Sequence, residues 1–405
     1  MGGLYIIDIS KKSYLKYFLF GSLYFSEGIE LALASVVIPL YLHIEKGVSL
    51  PLTTLIAGLV MIPWILKFFW GGIVDYFMKF GRKRFILFGG LLGSASFFIL
   101  IFIDPVVALI PFIFFLFLSH VGVGFLDVSA DAWAIELSKK HERGKINSAM
   151  FSGLFIGMAV GSALLTYIAQ EFGYNIAFLS TGIIVILIIL FPLSVKDPRI
   201  IKKRPKMGKL LIKEFRKKTT QMVTIFGPLL LISIGLLTLT FPLYLSEGIN
   251  LEISHIGLIV AISPVATIFG ALIGGPMSDK YGRKLPLYIF ILGSGLFTAA
   301  IILSNAWIAL AVVFGIIGFL RGGYYVVINA LLMDITNPKI GATQFSILTS
   351  VANVGELSGR MFGGTLIALL GYHRVFLYAA LVFGPALIIL YLIKLEKPLK
   401  NSTTI

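Results

Sequence analysis

The sequence lacks cysteine and has few charged residues. None of the 405 residues is Cys, which excludes a disulfide framework, a thiolate zinc site and a thiol nucleophile. Only 13% of the residues are Asp, Glu, Lys or Arg, whereas soluble proteins carry about 25%. Hydrophobic residues make up 58%, and the mean hydropathy is +0.97. These values predict a chain whose solvent is the lipid bilayer.

The sequence also lacks the common enzyme motifs. It contains no phosphate-binding G-x-x-x-x-G-K-S/T loop, no paired-His metal motif and no G-x-S-x-G nucleophile turn. We therefore predict no enzymatic activity, no cofactor and no metal site. Without an ATP site, any concentrative work would have to come from an ion gradient.

Twelve apolar stretches predict twelve membrane-spanning helices. A bilayer span needs about 20 apolar residues, and polar clusters, Pro or Gly separate the stretches. We predict an all-α, polytopic membrane protein with spans at approximately 14–43, 52–76, 85–103, 106–138, 147–170, 174–194, 222–246, 252–278, 285–303, 306–334, 342–370 and 373–394.

The positive charge predicts the orientation. The chain has 34 Lys and Arg against 19 Asp and Glu, a net charge of +15. If the N-terminus lies inside, 29 of the 34 fall on inner segments. Two fall outside (Lys46, Arg374) and three within the membrane (Lys67, Arg321, Arg360). Basic loops stay cytoplasmic, so we predict a multi-pass protein of the cell (inner) membrane with both termini cytoplasmic. Anionic lipid headgroups, and not nucleic acid, are then the expected partners of this charge.

The two halves of the chain repeat each other. Ile38–Leu42 recurs as Phe241–Leu245, and Gly71-x-x-x-Asp75 recurs as Gly275-x-x-x-Asp279, at offsets of 203 and 204 residues. We predict two pseudo-symmetric six-helix bundles, 1–194 and 222–405, joined by a basic linker, 195–221. Such parallel repeats with a site between them suit a rocking transporter. A docking site for a partner or a lipid is the alternative for the linker.

The segment Gly275–Lys284 resembles the signature loop of the major facilitator superfamily, G-x-x-x-D-R-x-G-R-K, with Lys280 in place of the Arg. The resemblance implies the major facilitator fold, in which the first helix of each group of three lines a central cavity. The first copy departs from the pattern by three extra residues before Gly81. Small Gly residues would permit close helix approach, and the Asp would pair with loop cations. The predicted gating residues are Gly71, Asp75, Arg82, Gly275, Asp279, Gly282 and Arg283. Alternatively, these are only basic inner loops.

Three further stretches, Pro63–Trp70, Leu126–Gly144 and Ala342–Gly355, resemble the muropeptide-permease (AmpG-like) branch, which is akin to acetyl-coenzyme A transporters. This resemblance implies a solute that is a sugar-peptide or a nucleotide-like amphipathic molecule.

Four carboxylates lie deep within the predicted spans of the first half, where an ionised group costs at least about 2.5 kcal/mol. Glu27 and Glu30 are separated by three residues, and Asp127 and Asp131 by four, so each pair shares one helical face. The superfamily resemblance implies that both faces line the cavity. Because several like charges cannot ionise cheaply there, we predict that at least one holds a proton. All four are candidates for proton coupling; the alternative is that some merely neutralise Lys67.

Charged residues also lie within the spans of the second half. We expect Arg321 on span 10 to pair with Glu356 on span 11, leaving Arg360 to bind an anionic group of the solute through its planar fork. A purely structural bridge between the two spans is the alternative. The predicted substrate-binding residues are Lys67, Arg321, Asn329, Glu356 and Arg360.

These observations predict a proton-coupled secondary active transporter that moves an organic, anion-bearing solute by alternating access. Its expected partners are a small-molecule solute, protons and membrane lipids, and it is expected to be a monomer. Two alternatives stay open: an exporter of lipophilic compounds, and a non-transporting membrane partner in assembly. Buried charges in both halves favour transport over the assembly role.

Overall fold

A computed structural model describes residues 12–137, 143–196, 208–337 and 340–393. Lys11, Lys339 and the basic residues of 138–142, 197–207 and 394–405, all expected on inner segments, lie outside the described residues. The twelve predicted spans are confirmed, with ends that differ by at most four residues. In order they are Ser13–Glu45, Leu50–Tyr76, Arg82–Leu100, Leu109–Leu137, Arg143–Phe172, Tyr174–Leu193, Lys218–Glu247, Ile253–Tyr281, Lys284–Ala300, Trp307–Asp334, Gly341–Leu370 and Tyr372–Leu392.

Span 11 is the least apolar of the twelve. The other eleven are long and apolar enough to cross a membrane by length and composition alone. Gly341–Leu370 carries Glu356 and Arg360, yet its 30 residues reach about 45 Å, more than a bilayer core needs. It packs against span 7 and against the first part of span 2. Arg360 and Gln344 of this span are therefore buried by neighbouring helices.

Glycines set the closest helix contacts in both halves. In the first half, a Cβ at Gly157 of span 5 would collide with the backbone of Phe25 of span 1. In the second half, a Cβ at Gly359 of span 11 would collide with the backbone of Ile232 of span 7. Spans 1 and 5 and spans 7 and 11 are thus equivalent tight pairs, as the repeat predicts and as small residues permit in membranes.

The two halves are packed together at one end, which we call the outer end because it lies opposite the signature loops. His43 at the end of span 1 contacts Glu247 at the end of span 7 at 2.7 Å. Gln170 of span 5 accepts a hydrogen bond from the backbone N–H of Ser254 of span 8. Below these contacts, Val36 and Leu40 are buried in one apolar cluster with Leu236 and Phe241 and other residues of the second half.

Spans 2 and 8 are equivalent in the repeat but differ in their backbone. Span 8 is one continuous helix that includes Pro264 and Pro276. Span 2 consists of three helical pieces, Leu50–Leu59, Ile62–Ile65 and Lys67–Tyr76. Pro63 lacks a backbone N–H, which removes one helical hydrogen bond in the middle of this span.

Candidate functional site

Charged side chains of spans 1, 2 and 4 form a cluster within the first half. The Lys67 Nζ atom lies 3.5 Å from Asp127 Oδ2. The hydroxyl of Tyr24 lies 3.0 Å from Asp127 Oδ1 and 2.6 Å from Asp131 Oδ1. The structure thus brings both predicted aspartates together with the predicted lysine. It adds Tyr24, which the sequence analysis missed although Tyr24 precedes Glu27 by three residues and so shares its face.

Glu27 joins this cluster through Trp64. The Trp64 Nε1–H donates to Glu27 Oε1 at 3.0 Å, and the Lys67 ammonium lies 6.0 Å from the Trp64 ring centroid. The second carboxyl oxygen of Glu27 is buried and has no hydrogen-bond partner among the described residues. Glu27 is therefore an under-paired acid beside a cation that is already engaged by Asp127.

Glu30 does not lie in the cluster, contrary to the expectation that it shares a cavity-lining face with Glu27. Its carboxyl oxygens lie beside Gly93 of span 3, and Oε2 is buried without a hydrogen-bond partner among the described residues. Residues three apart on a helix differ by about 60° around its axis. That rotation turns Glu27 toward span 2 and Glu30 toward spans 3 and 4.

The pairing expected in the second half is wrong. Glu356 accepts from Arg360, one turn along the same helix, at 2.9 Å, and Arg360 also donates to Ser35 Oγ of span 1 at 3.0 Å. Arg321 donates instead to Thr267 Oγ1 of span 8 at 3.2 Å. An i,i+4 partner on the same helix needs no adjustment of helix packing, which explains why Glu356 pairs with Arg360.

Arg321 faces a small cavity that Leu237, Thr238, Ser263 and Tyr324 also line. Arg321 forms no ion pair within the part of the chain that the structure describes. The predicted Asn329 uses its amide to donate to the Tyr325 carbonyl of its own helix at 2.8 Å. Arg321 is therefore the second-half cation with donors left for a ligand, whereas Arg360 is buried and engaged.

Most charged side chains of the cluster and of the second half are buried: the Asp127 and Arg360 side chains are only 3% and 4% exposed. Lys67 and Glu356 are the partly exposed members. The Lys67 side chain is 26% exposed and that of Glu356 is 21% exposed. The contacts of His43 and Gln170 between the halves lie at the outer end, so we call the opposite end, where the signature loops lie, the inner end. Tyr325 of span 10 and Phe151 of span 5 meet edge to face between the two halves, with ring centroids 6.1 Å apart.

Each half has an arginine between two carboxylates at the inner end. Arg82 pairs with Asp75 at 2.8 Å and with Glu136 at 3.2 Å. Arg283 pairs with Asp279 and with Asp334, both at 2.8 Å. The predicted pairing of the loop aspartates with loop cations therefore occurs in both copies. The second carboxylate in each cluster, Glu136 or Asp334, lies at the end of span 4 or span 10. The sequence analysis did not predict that these two residues pair with the loop arginines.

The glycines of the two loops differ in role. Gly282 and the equivalent Gly81 have φ of 78° and 83°, values that favour glycine because it has no Cβ. The expected close helix approach at Gly71 and Gly275 does not occur, because a Cβ at either position would meet no other atom within 4 Å.

Two repeated six-helix bundles with charged side chains inside their membrane spans are typical of a membrane transporter with the major facilitator fold. The sequence model of the Major Facilitator Superfamily matches residues 20–246 and 223–404. The chain belongs to this superfamily, as its signature loop predicted.

Relatives extend this assignment. The chain is 24% identical over 373 residues to the putative transporter AmpG 4 of Rickettsia conorii, covering 85% of this chain and 89% of the relative. It is 24% identical over 390 residues to the anhydromuropeptide permease of Escherichia coli K12, covering 90% and 77%. A bacterial homolog of the human lysosomal transporter Spinster, solved in an inward-facing and unoccupied conformation, has the same fold, with a TM-score of 0.74 at 13% identity and coverage of 94% and 95%. The resemblance to the AmpG-like branch is thus confirmed.

Proposed function

We propose that this protein is a proton-coupled secondary active transporter that carries an organic, anion-bearing solute across the cell (inner) membrane. The proton is bound by the cluster of Glu27, Asp127 and Asp131, and the solute occupies the cavity between the two halves. Glu30 is a weaker candidate for proton binding because it lies apart from this cluster.

The observation that carries the proposal is the position of Tyr24. Its hydroxyl has one proton to donate but lies within hydrogen-bond distance of a carboxyl oxygen of Asp127 and of Asp131. Two ionised carboxylates are acceptors only. Both contacts are satisfied as hydrogen bonds when one of the two aspartates carries a proton and donates it to the tyrosine oxygen. This geometry supports a proton-binding site at the aspartate pair.

The solute's anionic group binds Arg321. The Arg321 guanidinium has N–H donors left to face the cavity. Its planar pair of N–H groups suits a carboxylate or a phosphate. Lys67, Asn329 and Glu356 are secondary contacts. Arg360 is better assigned to holding the halves together, because its donors are used by Glu356 and by Ser35 of the opposite half.

Transport proceeds by alternating access. The packed outer end and the accessible cavity support an inward-facing starting state. In the opposite state the contacts of His43 and Gln170 open, and the loops that carry Asp75 and Asp279 approach each other. The two bundles, 1–194 and 222–405, move as units about the linker 195–221, of which Gly208–Phe215 is helical.

The names of the relatives suggest the solute to test, an anhydromuropeptide. The purified protein is reconstituted in liposomes, and uptake of labelled anhydromuropeptide is followed together with proton movement under an imposed pH gradient. Coupled movement of both supports the proposal, and solute movement without protons would contradict the coupling. If neither the solute nor protons move, the alternative of a non-transporting membrane partner in assembly becomes the better explanation.

The orientation and oligomeric state are tested separately. We expect reporters fused after Lys206 and after Thr404 to be cytoplasmic and one inserted at 46–50 to lie outside. An external reading at Lys206 would contradict the division into two bundles of six. We expect a monomer with bound lipid by native mass measurement, since both bundles are complete within one chain.

A further inference from the structure

The inner piece of span 2 starts directly after a break in the helix. The helix ends at Ile65 and restarts at Lys67, and Leu66 between them has φ −77° and ψ 12°. In a continuous helix the carbonyl of residue 63 accepts from the backbone N–H of residue 67. Here the Pro63 carbonyl accepts from the indole Nε1–H of Trp70 at 2.9 Å. Because an unpaired carbonyl is costly in the hydrocarbon region, the indole stabilises the broken backbone.

Trp70 is also fitted against span 4. A Cβ at Gly124 would lie 2.8 Å from Trp70 Cδ1, so any larger residue would push the indole away. The Phe125 ring lies 5.2 Å from the Trp70 ring. Gly124 precedes Asp127 by three residues, about one helical turn. The indole thus connects the break in span 2 to the helix that carries Asp127.

We propose that Trp70 is a positioning residue that holds the break in span 2 and thereby places the Lys67 ammonium against Asp127. The inference rests on the proposed function only for the effect on transport, since the contact itself is geometric. The second half lacks all three features: the positions equivalent to Pro63, Lys67 and Trp70 are Thr267, Ala271 and Gly274, and they lie in the continuous helix of span 8.

Removal of the indole N–H leaves the Pro63 carbonyl without this donor. The carbonyl then recovers a hydrogen bond when the inner piece turns to continue the helix, and that rotation carries Lys67 away from Asp127. The same rotation changes which faces of the piece are accessible. At present Phe68 is 52% exposed and Val74 is 1% exposed.

The test uses variants with one introduced cysteine each. The natural chain contains no cysteine, so the introduced thiol is the only one that can be labelled. Maleimide labelling of Phe68→Cys and of Val74→Cys is compared with Trp70 present and with Trp70→Phe, which keeps a ring but removes the donor. We expect Trp70→Phe to increase labelling at position 74 and decrease it at position 68. We expect coupled uptake of anhydromuropeptide to fall about tenfold, the factor for one buried hydrogen bond, with a displaced pH profile. Trp307→Phe, at the far end of span 10, is the matched control and should change neither.

Unchanged labelling in Trp70→Phe would overturn the positioning role. Changed labelling with unchanged uptake would support the positioning role and count against Lys67 and Asp127 in the proposed function. If Trp70→Phe does not fold, Trp70→Phe with Pro63→Ala supplies an N–H at position 63 and permits a continuous helix. We expect that double variant to recover its yield yet keep the altered labelling. Labelling like that of the unmodified protein would overturn the proposal.

Discussion

The two halves of the molecule are copies at their inner ends but not in the middle of the membrane. At the inner end each half places one arginine between two carboxylates. At mid-membrane the first half has a lysine, three clustered carboxylates and a broken span 2. The second half has one Glu356–Arg360 pair, Arg321 without an ion pair among the described residues, and a continuous span 8. The comparison indicates that the repeated unit preserves the ion pairs of the inner end, whereas the charged groups at mid-membrane differ between the halves.

The acidic excess in the first half predicts where proton coupling resides. Asp131→Asn keeps the shape of the side chain and is cheaper to bury than a charge, so the protein should fold. Uphill uptake of anhydromuropeptide should fall to the background of empty liposomes, and Asp127→Asn should do the same. Asp104→Asn, in an exposed outer loop where Asp104 pairs with Lys46, is the control and should transport normally. Accumulation against a gradient by Asp131→Asn would break the contrast between the halves.

The inner-end clusters look alike but differ in burial, which predicts unequal contributions to stability. Arg82 and Glu136 have side chains that are 7% and 8% exposed, whereas those of Arg283 and Asp334 are 23% and 49% exposed. Removal of one partner from a buried pair costs about 3 kcal/mol or more, but a surface pair contributes about 1 kcal/mol or less. Arg82→Gln should therefore lower the melting temperature clearly more than Arg283→Gln does. Equal losses in a thermal scan would mean that burial does not separate the two copies.

The two mid-membrane arginines of the second half, Arg321 and Arg360, should separate into a ligand contact and a scaffold contact. Arg321→Lys keeps the charge but not the planar fork, so the apparent dissociation constant for anhydromuropeptide should rise about tenfold, with little change in melting temperature. Arg360→Lys should show the reverse, because Arg360 bridges Glu356 and Ser35. Binding and thermal stability are measured on the same purified samples. If Arg360→Lys weakens binding and Arg321→Lys lowers stability instead, Arg360 is the residue that binds the anionic group of the solute, as the sequence analysis expected.

The outer-end contacts predict the smallest effect. His43 and Tyr372 both bind the carboxylate of Glu247, and the atoms of Tyr372 and Glu247 lie 2.5 Å apart. His43→Ala removes one of several contacts that close this end, so the outward-facing population should rise severalfold without loss of fold. A membrane-impermeant maleimide added outside reports this at Leu40→Cys, which is fully buried here. Gln170→Ala, which removes the parallel contact to Ser254, should have an additive effect. No increase in either variant would show that apolar packing alone closes the outer end.

Some features of the site were predictable because they depend on local sequence. The depth of Glu27, Asp127 and Asp131 follows from counting residues along a helix. The pairing of Asp75 and Asp279 with loop cations follows from short separations in the chain. The break in span 2 had a partial signal in Pro63, but span 8 contains two prolines and remains continuous. Proline alone therefore does not predict where a span breaks.

Other features depended on contacts between distant parts of the chain. Tyr24 meets residues more than 100 positions away, and Arg360 meets Ser35 across the two halves. Glu30, predicted to share a face with Glu27, turns toward Gly93. No local pattern distinguishes these arrangements from their alternatives, because each needs only a small rotation of one helix.

Twelve membrane spans, two repeated halves and a group of charges near mid-depth are all readable from the amino-acid order. These properties follow from transfer free energies and helical rise, which add residue by residue along the chain. The partners of those charges became evident from the folded chain: Lys67 meets Asp127, Arg360 meets Glu356, and Arg321 meets none of the described carboxylates. Pairing depends on the rotation of each helix about its axis. That rotation is set by glycine contacts such as Gly157 on Phe25 and Gly359 on Ile232, between residues far apart in sequence.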